Sequence, residues 1–562
     1  MSTPASTAWV AAPCSRVASI LTCVSGCQCR AEHPAVPRAL DRKSLKDKVP
    51  LKPLIGGGRV GQQTDVLVVG AGPTGLVLAL WLTRQGVSVR IVDKNDGPGE
   101  TSRAMVVQAR TLELYRQLDL SDAVVDAGYR NPSISLWAKG KRRAHLSFGE
   151  VGTDITPYPF LLVYPQDAHE RLLVERLQAL GVTVERQTEL TAFEDRGDHV
   201  AARLRTPDGS EQVCVARYLA GCDGARSSIR HQLGAGFEGG TYNQTFYVAD
   251  VQVSGLEPTD EVHLALDGTD FVAVIPYGHE GKSRLIGAVV DDRAEELTFN
   301  DVGHHAIDNL GLKVQAVNWF STYRVHHRVA DHFRRGRAFL LGDAAHVHSP
   351  VGGQGMNTGI SDAINLAWKL AAVVKGQALD ALLDSYEQER KAFARKLVDT
   401  TDRLFTFITT EGGFANFVRI HIAPLFAGVI YSSDRVREFM FRLVSQTSLS
   451  YHASALSEGK AGGVQGGDRL PWVGGPAQDN HEPLSVIAWQ VHVYGTARPD
   501  LKTWSEQRGI ALHEFAWRPE HERAGLARDA AYLLRPDTYV ALADPLGTPE
   551  AIERYFAGRG IA

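Results

Sequence analysis

Four residues around position 80 have the types and spacing to bind a phosphorylated ligand through the main chain. Gly70, Gly72 and Gly75 form G-x-G-x-x-G, and Asp93 follows 18 residues after the last of them. The first glycine permits a tight turn, the second lets the backbone approach a pyrophosphate, and the third lets a helix pack on a strand. An acid at that distance accepts a ribose hydroxyl. A turn that merely needs glycines leaves Asp93 without a reason. Pro73 and Thr74 inside the turn and Lys94 beside the acid complete this contact set. A second stretch, "LLGDAAHVHSPVGGQGMNTGISDAINLAWKLAAVVKG" (Leu340 to Gly376), places Asp343 after an apolar run. Pro350 follows, then Gly352, Gly353 and Gly355 around a glutamine, and only then a helix. A helix amino terminus presents unpaired N–H groups and a partial positive charge. An electron-rich group is therefore expected against this glycine loop and helix start. A bare helix-start turn explains neither three glycines nor Pro350.

These residues need elements to hold them. "DVLVVGAGPTGLVLALWLTRQGVSVRIVDK" (Asp65 to Lys94) reads as strand, glycine turn, helix and strand, and Arg337 to Leu341 as a buried strand. In the following helix Ile360, Ala363, Ile364, Ala367, Ala371 and Val374 recur on one side, with Ser361, Asp362, Asn365 and Lys369 on the other. Asn131 to Val163 and Thr245 to Val325 alternate like antiparallel strands, as in "FVAVIPYGH" and "SRLIGAVV". A helical region runs from about Leu379 to about Ser457. After "QGGDRLPWVGG" come strands in "WQVHVYG" and "YLLRPDTYVALAD" and a helix from Thr548, with Arg535, Pro536 and Asp537 as a turn.

The expected fold is α/β. A leader (1–63) precedes a discontinuous dinucleotide-binding domain (64–244, including part of a second sheet at about 131–163, and 326–457 with the helical region). An antiparallel β-sheet domain spans 245–325, and a terminal domain spans 458–562.

The 562 residues leave room for two or three domains, and 44% hydrophobic and 22% charged residues are ordinary for a globular protein. A net charge of -4 gives no reason to expect nucleic acid as a partner. No run of 18 uncharged apolar residues suggests a membrane span: Asn416 to Tyr431 is interrupted by Arg419, His421 and Pro424. Cys14, Cys23, Cys27 and Cys29 lie in the leader and Cys214 and Cys222 mid-chain. This pattern fits neither a zinc site nor a disulfide framework, so no metal is expected and a reducing cytoplasm is the default compartment. "VSGC" (Val24 to Cys27) resembles a lipoprotein cleavage box and the leader could also target an organelle, but a disordered extension or misplaced start codon is the expected reading.

Three separated motifs make the chain resemble the single-component FAD monooxygenases of the para-hydroxybenzoate hydroxylase and phenol hydroxylase type, together with polyketide hydroxylases. They are the glycine fingerprint followed by "SRAMVVQARTLELYRQLDL" (Ser102 to Leu120), "AGCDGARSSIR" (Ala220 to Arg230), and the stretch from Leu340. The resemblance implies a Rossmann-like FAD-binding domain, with Arg103 on the ribityl-phosphate side of FAD and Asp223 near FAD and the nicotinamide donor. It places Gln166 between the FAD and substrate domains, Asp343 on the ribityl chain and Pro350 beside the reactive edge of the flavin. The loop Gly352 to Gly355 and the helix start at Met356 and Asn357 would face flavin N1 and the C2 carbonyl. The terminal domain resembles a thioredoxin-like unit; lacking cysteine, it is left with a packing or homodimerisation role.

The implied reaction is reduction of FAD by NAD(P)H, formation of a flavin C4a-hydroperoxide with O2, and hydroxylation of an aromatic substrate, phenolic or polyketide-like. A phenol attacks best as its phenolate, so a group that takes or relays the proton is expected. His348, Tyr323, His346, His326 and His327 are the candidates, none of them assigned. Alternatives are another FAD-dependent oxidoreductase on the same fold, such as a reductase or epoxidase, or a non-catalytic flavin-binding scaffold.

Overall fold

The computed structural model describes residues 60–99, 104–256, 260–267, 270–289, 297–302, 305–348, 353–409, 433–475 and 479–562. Arg103, Pro350, Gly352 and nearly all of the leader lie outside them.

The run Val66–Val69, at the end of the strand Val60–Val69, is apolar at every position because both faces of the strand are covered there. This strand pairs in parallel with Val89–Val92 on one side and Glu211–Gly221 on the other. Val184–Glu185 and Ala338–Leu340 extend the parallel sheet at its two ends. Strands 189–195 and 200–205 are added antiparallel beside 211–221. The helix Pro73–Arg84 packs on this sheet with Leu76 to Leu82 buried. It stops where Gly86 adopts φ 72° and Val87 N–H reaches back to Leu82 O, a Schellman closure.

A second sheet of eight strands has the order 346–347, 313–330, 237–254, 282–289, 270–276, 262–267, 133–138, 141–147. All neighbours are antiparallel except 262–267 on 133–138. The hairpin 133–147 joins this sheet, whereas 161–163 lies between 106–107 and 129–131 in a separate three-stranded sheet. Its two longest strands, Phe237–Ser254 and Lys313–Ala330, pair from Phe237–Ala330 to Ser254–Lys313 and run straight through positions 245 and 326. Sequence alternation marks where such a strand becomes amphipathic, not where it starts.

One face of this sheet, with Val262, Ile275, Ile134, Leu264 and Ile286, packs on Met105, Val106, Leu161 and Phe441. The opposite face packs on Phe299, Ala306 and Ile307.

The terminal sheet has the order 464–465, 458–461, 540–544, 531–534, 490–494, 511–515, flanked by helices Pro499–Arg508 and Pro549–Arg559. Val491, Val493, Leu533 and Ala541 share the main core with the helix Gln354–Val374, and Trp489 meets Trp368 edge-on at 5.7 Å. The structure is thus a mixed α/β fold of several sheets. No helix among the described residues is long and apolar enough to cross a membrane, and no described group of His, Cys, Asp or Glu could hold a metal ion.

Candidate active site

The glycine turn is shaped by three different constraints. Gly70 has φ 105°, and a Cβ there would lie 2.1 Å from the Cys222 carbonyl oxygen. A Cβ on Gly75 would lie 2.0 Å from Gly70 O. At Gly72, which caps the helix without a side-chain bond, a Cβ would meet nothing within 4 Å. Asp93 braces this turn: its carboxylate accepts from Ala71 N–H at 2.6 Å and from Asn95 N–H at 2.7 Å. Lys94 is exposed and Pro73 is the first residue of the helix. Thr74 faces away from the turn, its Oγ1 lying where a Cβ on Gly342 or Gly359 would be.

Asp223 follows directly on Cys222, beside Gly70. One carboxylate oxygen accepts from Ile229 N–H and Ser228 Oγ, both at 3.2 Å. The other, Oδ1, is buried with no hydrogen-bond partner among the described residues. Arg230 donates to Ala344 O at 3.0 Å and to Ala225 O at 2.8 Å, tying the Asp223 segment to the turn Gly342–Ala344. On that turn Asp343 is exposed. Gln166 opens the helix Gln166–Ala179, its Nε2 donating to Glu170 at 2.8 Å.

The helix Gln354–Val374 is capped by Gly353, which has φ 62° and sits so close to Val106 that a Cβ would come within 2.8 Å of it. Gly353 has no side chain to cap this end, so it leaves the N–H groups of the first turn without the usual N-cap acceptor. Asn357 is held differently from the expectation: its side chain is fully buried. It accepts from Gln108 N–H and Thr111 Oγ1 and donates to Val106 O and Gly353 O, at 2.8–2.9 Å. The side chain anchors the helix start, and what that start offers a ligand is backbone.

His348 lies over this end, its Cε1 3.8 Å from where a Gly355 Cβ would be, and stacks on His346 with centroids 6.2 Å apart. Met356 is partly buried against the main core. Tyr323 packs on Phe246 in the second sheet, with ring centroids 6.1 Å apart. His326 is largely exposed, 2.7 Å from Thr241 Oγ1, and its slight burial, then Arg328 and His327, lower its pKa. His327 lies against Gly240.

Asp362 is a further structural centre. It reads as part of a polar helix face, yet it is fully buried. Its carboxylate accepts from Gly342 N–H at 2.9 Å, His346 Nε2 at 2.7 Å and Arg390 Nε at 2.6 Å. Burial alone would raise this carboxyl, and Arg390 and His346 more than reverse that.

The glycine turn, Asp223, the Gly342 turn and the helix start are thus linked through direct contacts. Residues 63–401 match the family described as FAD binding domain. The chain belongs to this family. The 6-methylpretetramide 4-monooxygenase of Streptomyces rimosus is 38% identical over 408 residues, 72% of each chain. The dialkyldecalin synthase of Streptomyces rugosporus is 31% identical over 510 residues, covering 87% of this chain and 98% of that one. Among solved structures, the anhydrotetracycline hydroxylase of Streptomyces rimosus superposes with a TM-score of 0.71 at 26% identity, covering 89% of this chain and all of that one. The chain is a flavoprotein monooxygenase by this kinship.

FAD fits the residues present on two counts. Space lies open over Gly72 where a Cβ would intrude, and Asp223 Oδ1 is a buried acceptor left unmatched among the described residues.

Proposed function

We propose that this flavoprotein hydroxylates an aromatic substrate, phenolic or polyketide-like, with NAD(P)H and O2. The unmatched Asp223 Oδ1 beside the open Gly72 carries the cofactor reading. The tetracycline-type compounds in the relatives' names support the substrate class. Bound FAD would supply the electron transfer and oxygen activation. In this reading Gly70 to Gly75 and the start of the helix Pro73–Arg84 hold the pyrophosphate, with Asp93 at the adenosine ribose. Asp223 accepts from a cofactor hydroxyl, and Asp343 takes the ribityl chain. The N–H groups of Gly355 and Met356 stabilise negative charge on the ring edge laid against them. The face of the second sheet that carries Leu264, Ile275 and Ile286 closes the site with apolar groups and excludes water.

The parallel sheet around Val60–Val69 is read as Rossmann-like. Its β-α-β core, with the phosphate turn between the first strand and helix, supports this. The terminal unit is read as thioredoxin-like from its strand–helix–strand start, with 490–494 and 511–515 parallel, followed by an antiparallel pair and a helix.

The test is a panel of phenols and polycyclic aromatics, scored for coupled NAD(P)H consumption and hydroxylated product by the yellow purified protein. No substrate-stimulated oxidation across the panel would defeat the reading. The dialkyldecalin synthase relative favours one second reading, in which the same flavin-binding fold serves a reaction other than hydroxylation. Product formation from a substrate without NAD(P)H consumption would select it.

A further inference from the structure

We propose that Asp362 and His346 are a positioning pair that holds the two flavin-facing elements, the Gly342–Ala344 turn and the start of the helix Gln354–Val374, in fixed relation. This rests on the reading above that the turn presents Asp343 to FAD.

Asp362 sits two turns into the helix, so it belongs to one element. Its Oδ2 accepts from Gly342 N–H, the first residue of the other, at 2.9 Å. The same oxygen takes His346 Nε2 at 2.7 Å, and Oδ1 takes Arg390 Nε at 2.6 Å. With Arg390 keeping the carboxylate ionised, His346 must present Nε2–H to it. The ring of His346 then stands between Phe333, with centroids 5.9 Å apart and planes at 28°, and His348, at 6.2 Å and 15°. His348 is the side chain that lies over Gly355. One carboxylate therefore sets the backbone of the Asp343 turn and, through a stacked ring, the side chain above the helix start.

The anchor is rigid. Arg390 also donates to Tyr451 OH at 2.7 Å and to Thr358 O at 3.2 Å, so the carboxylate cannot swing without breaking a buried ion pair. Neither residue needs to touch the cofactor. Their action is to limit how far Asp343 and the helix N–H groups stray from each other, and a ligand that bridges both gains affinity from that.

His346 variants test this without stripping the charge from Asp362, which keeps Arg390. His346→Gln retains an N–H at the Nε2 position, and His346→Phe retains the ring without a donor. Asp343→Asn tests the underlying reading. For each holoenzyme, FAD release on dilution is followed by recovery of free-flavin fluorescence, with the visible absorption bands of the bound flavin as a second readout.

The expected result is about tenfold weaker FAD binding and shifted bands in His346→Phe, with wild-type values restored in His346→Gln. Asp343→Asn should weaken binding as well. Unchanged affinity and bands in His346→Phe, beside a weakened Asp343→Asn, overturn the pair alone. His346→Gln as weak as His346→Phe also overturns it, because the hydrogen bond would then not matter. Unchanged affinity in Asp343→Asn removes the reading of the turn and this inference with it.

Discussion

The guanidinium of Arg535 donates to both carboxylate oxygens of Glu389, at 2.7 and 3.1 Å, with both side chains sealed from solvent. Arg535 lies on a turn of the terminal sheet, and Glu389 on the helix Asp384–Thr409 that follows the FAD-binding segments. Lys369 Nζ, 2.8 Å from Glu389, and Asp537, which accepts from Arg535, complete a buried cluster of two cations and two anions. Burial alone would raise the Glu389 carboxyl, but Arg535 and Lys369 hold it well below the usual carboxylate range. Nearby, Glu113 takes Arg469 through both oxygens.

Breaking such a cluster leaves an uncompensated buried charge. Arg535→Met should destabilise the protein by about 3–5 kcal/mol, read as a lowered urea midpoint. A change under about 1 kcal/mol would mean that the terminal unit is loosely docked.

Two glycines three residues apart should both lose FAD, but only one of them at a large cost to the fold. Gly72→Val points its side chain into open space, so the fold should lose only about 1 kcal/mol, the difference between helix N-cap residues. FAD occupancy should nevertheless fall at least about tenfold, because the methyl groups occupy the pyrophosphate's approach. Gly75→Ala drives a methyl to 2.0 Å from Gly70 O, so it should lower stability as well as FAD content. Urea melts and flavin-to-protein absorbance ratios check both. A Gly72→Val protein purified with full flavin would place the pyrophosphate elsewhere.

At Asp223 stability and binding should separate. Asp223→Asn keeps an oxygen for Ile229 N–H and exchanges an unmatched buried acceptor for a neutral amide N–H, so the protein without FAD should stay within about 1 kcal/mol of wild type. FAD should bind about tenfold more weakly, since an amide donor now faces the cofactor's hydroxyl. Equal FAD affinity in the two proteins, measured by fluorescence quenching, would detach Asp223 from the cofactor.

What the sequence discloses about this site is its backbone demands. Gly70, Gly75 and Gly353 are legible because only glycine tolerates what those positions require, and Asp343 because it ends a strand. Asp362 was not legible: Ser361, Asp362, Asn365 and Lys369 share one helix face, and a polar face reads the same whether water or Glu389, Arg390 and Arg535 lies opposite. Arg535 to Asp537 do form the turn that their types suggest, but the partner that makes it a docking point lies 146 residues away. Asn357 was assigned toward the flavin from its place in a motif, while the Val106 to Thr111 backbone and side chains that claim it come from a distant segment. The α/β class followed from periodicity. The true extent of Phe237–Ser254 did not, since its first residues lack alternation.

His169 gives the fold a specific acid sensitivity. Its ring is fully buried, with Nε2 2.9 Å from Tyr115 OH and Nδ1 without a partner, and burial lowers its pKa to about 4. The unfolded chain takes up this proton near pH 6.5. Between about pH 6.5 and 4 His169 therefore adds one proton to the unfolded state over the native state, on top of the buried His481 and His492, whose pKa values burial also lowers, and stability falls as pH falls. The contribution, about 3 kcal/mol at 1.36 kcal/mol per pH unit, is present above pH 6.5 and gone below pH 4. Glu113 and Glu389, held low by their arginines, add loss only at more acidic pH. His169→Gln should start less stable at pH 7.5 but lose less on acidification, so that the two stability curves converge between pH 6.5 and 4.5. Parallel curves in urea titrations across that range would show that another group carries the proton.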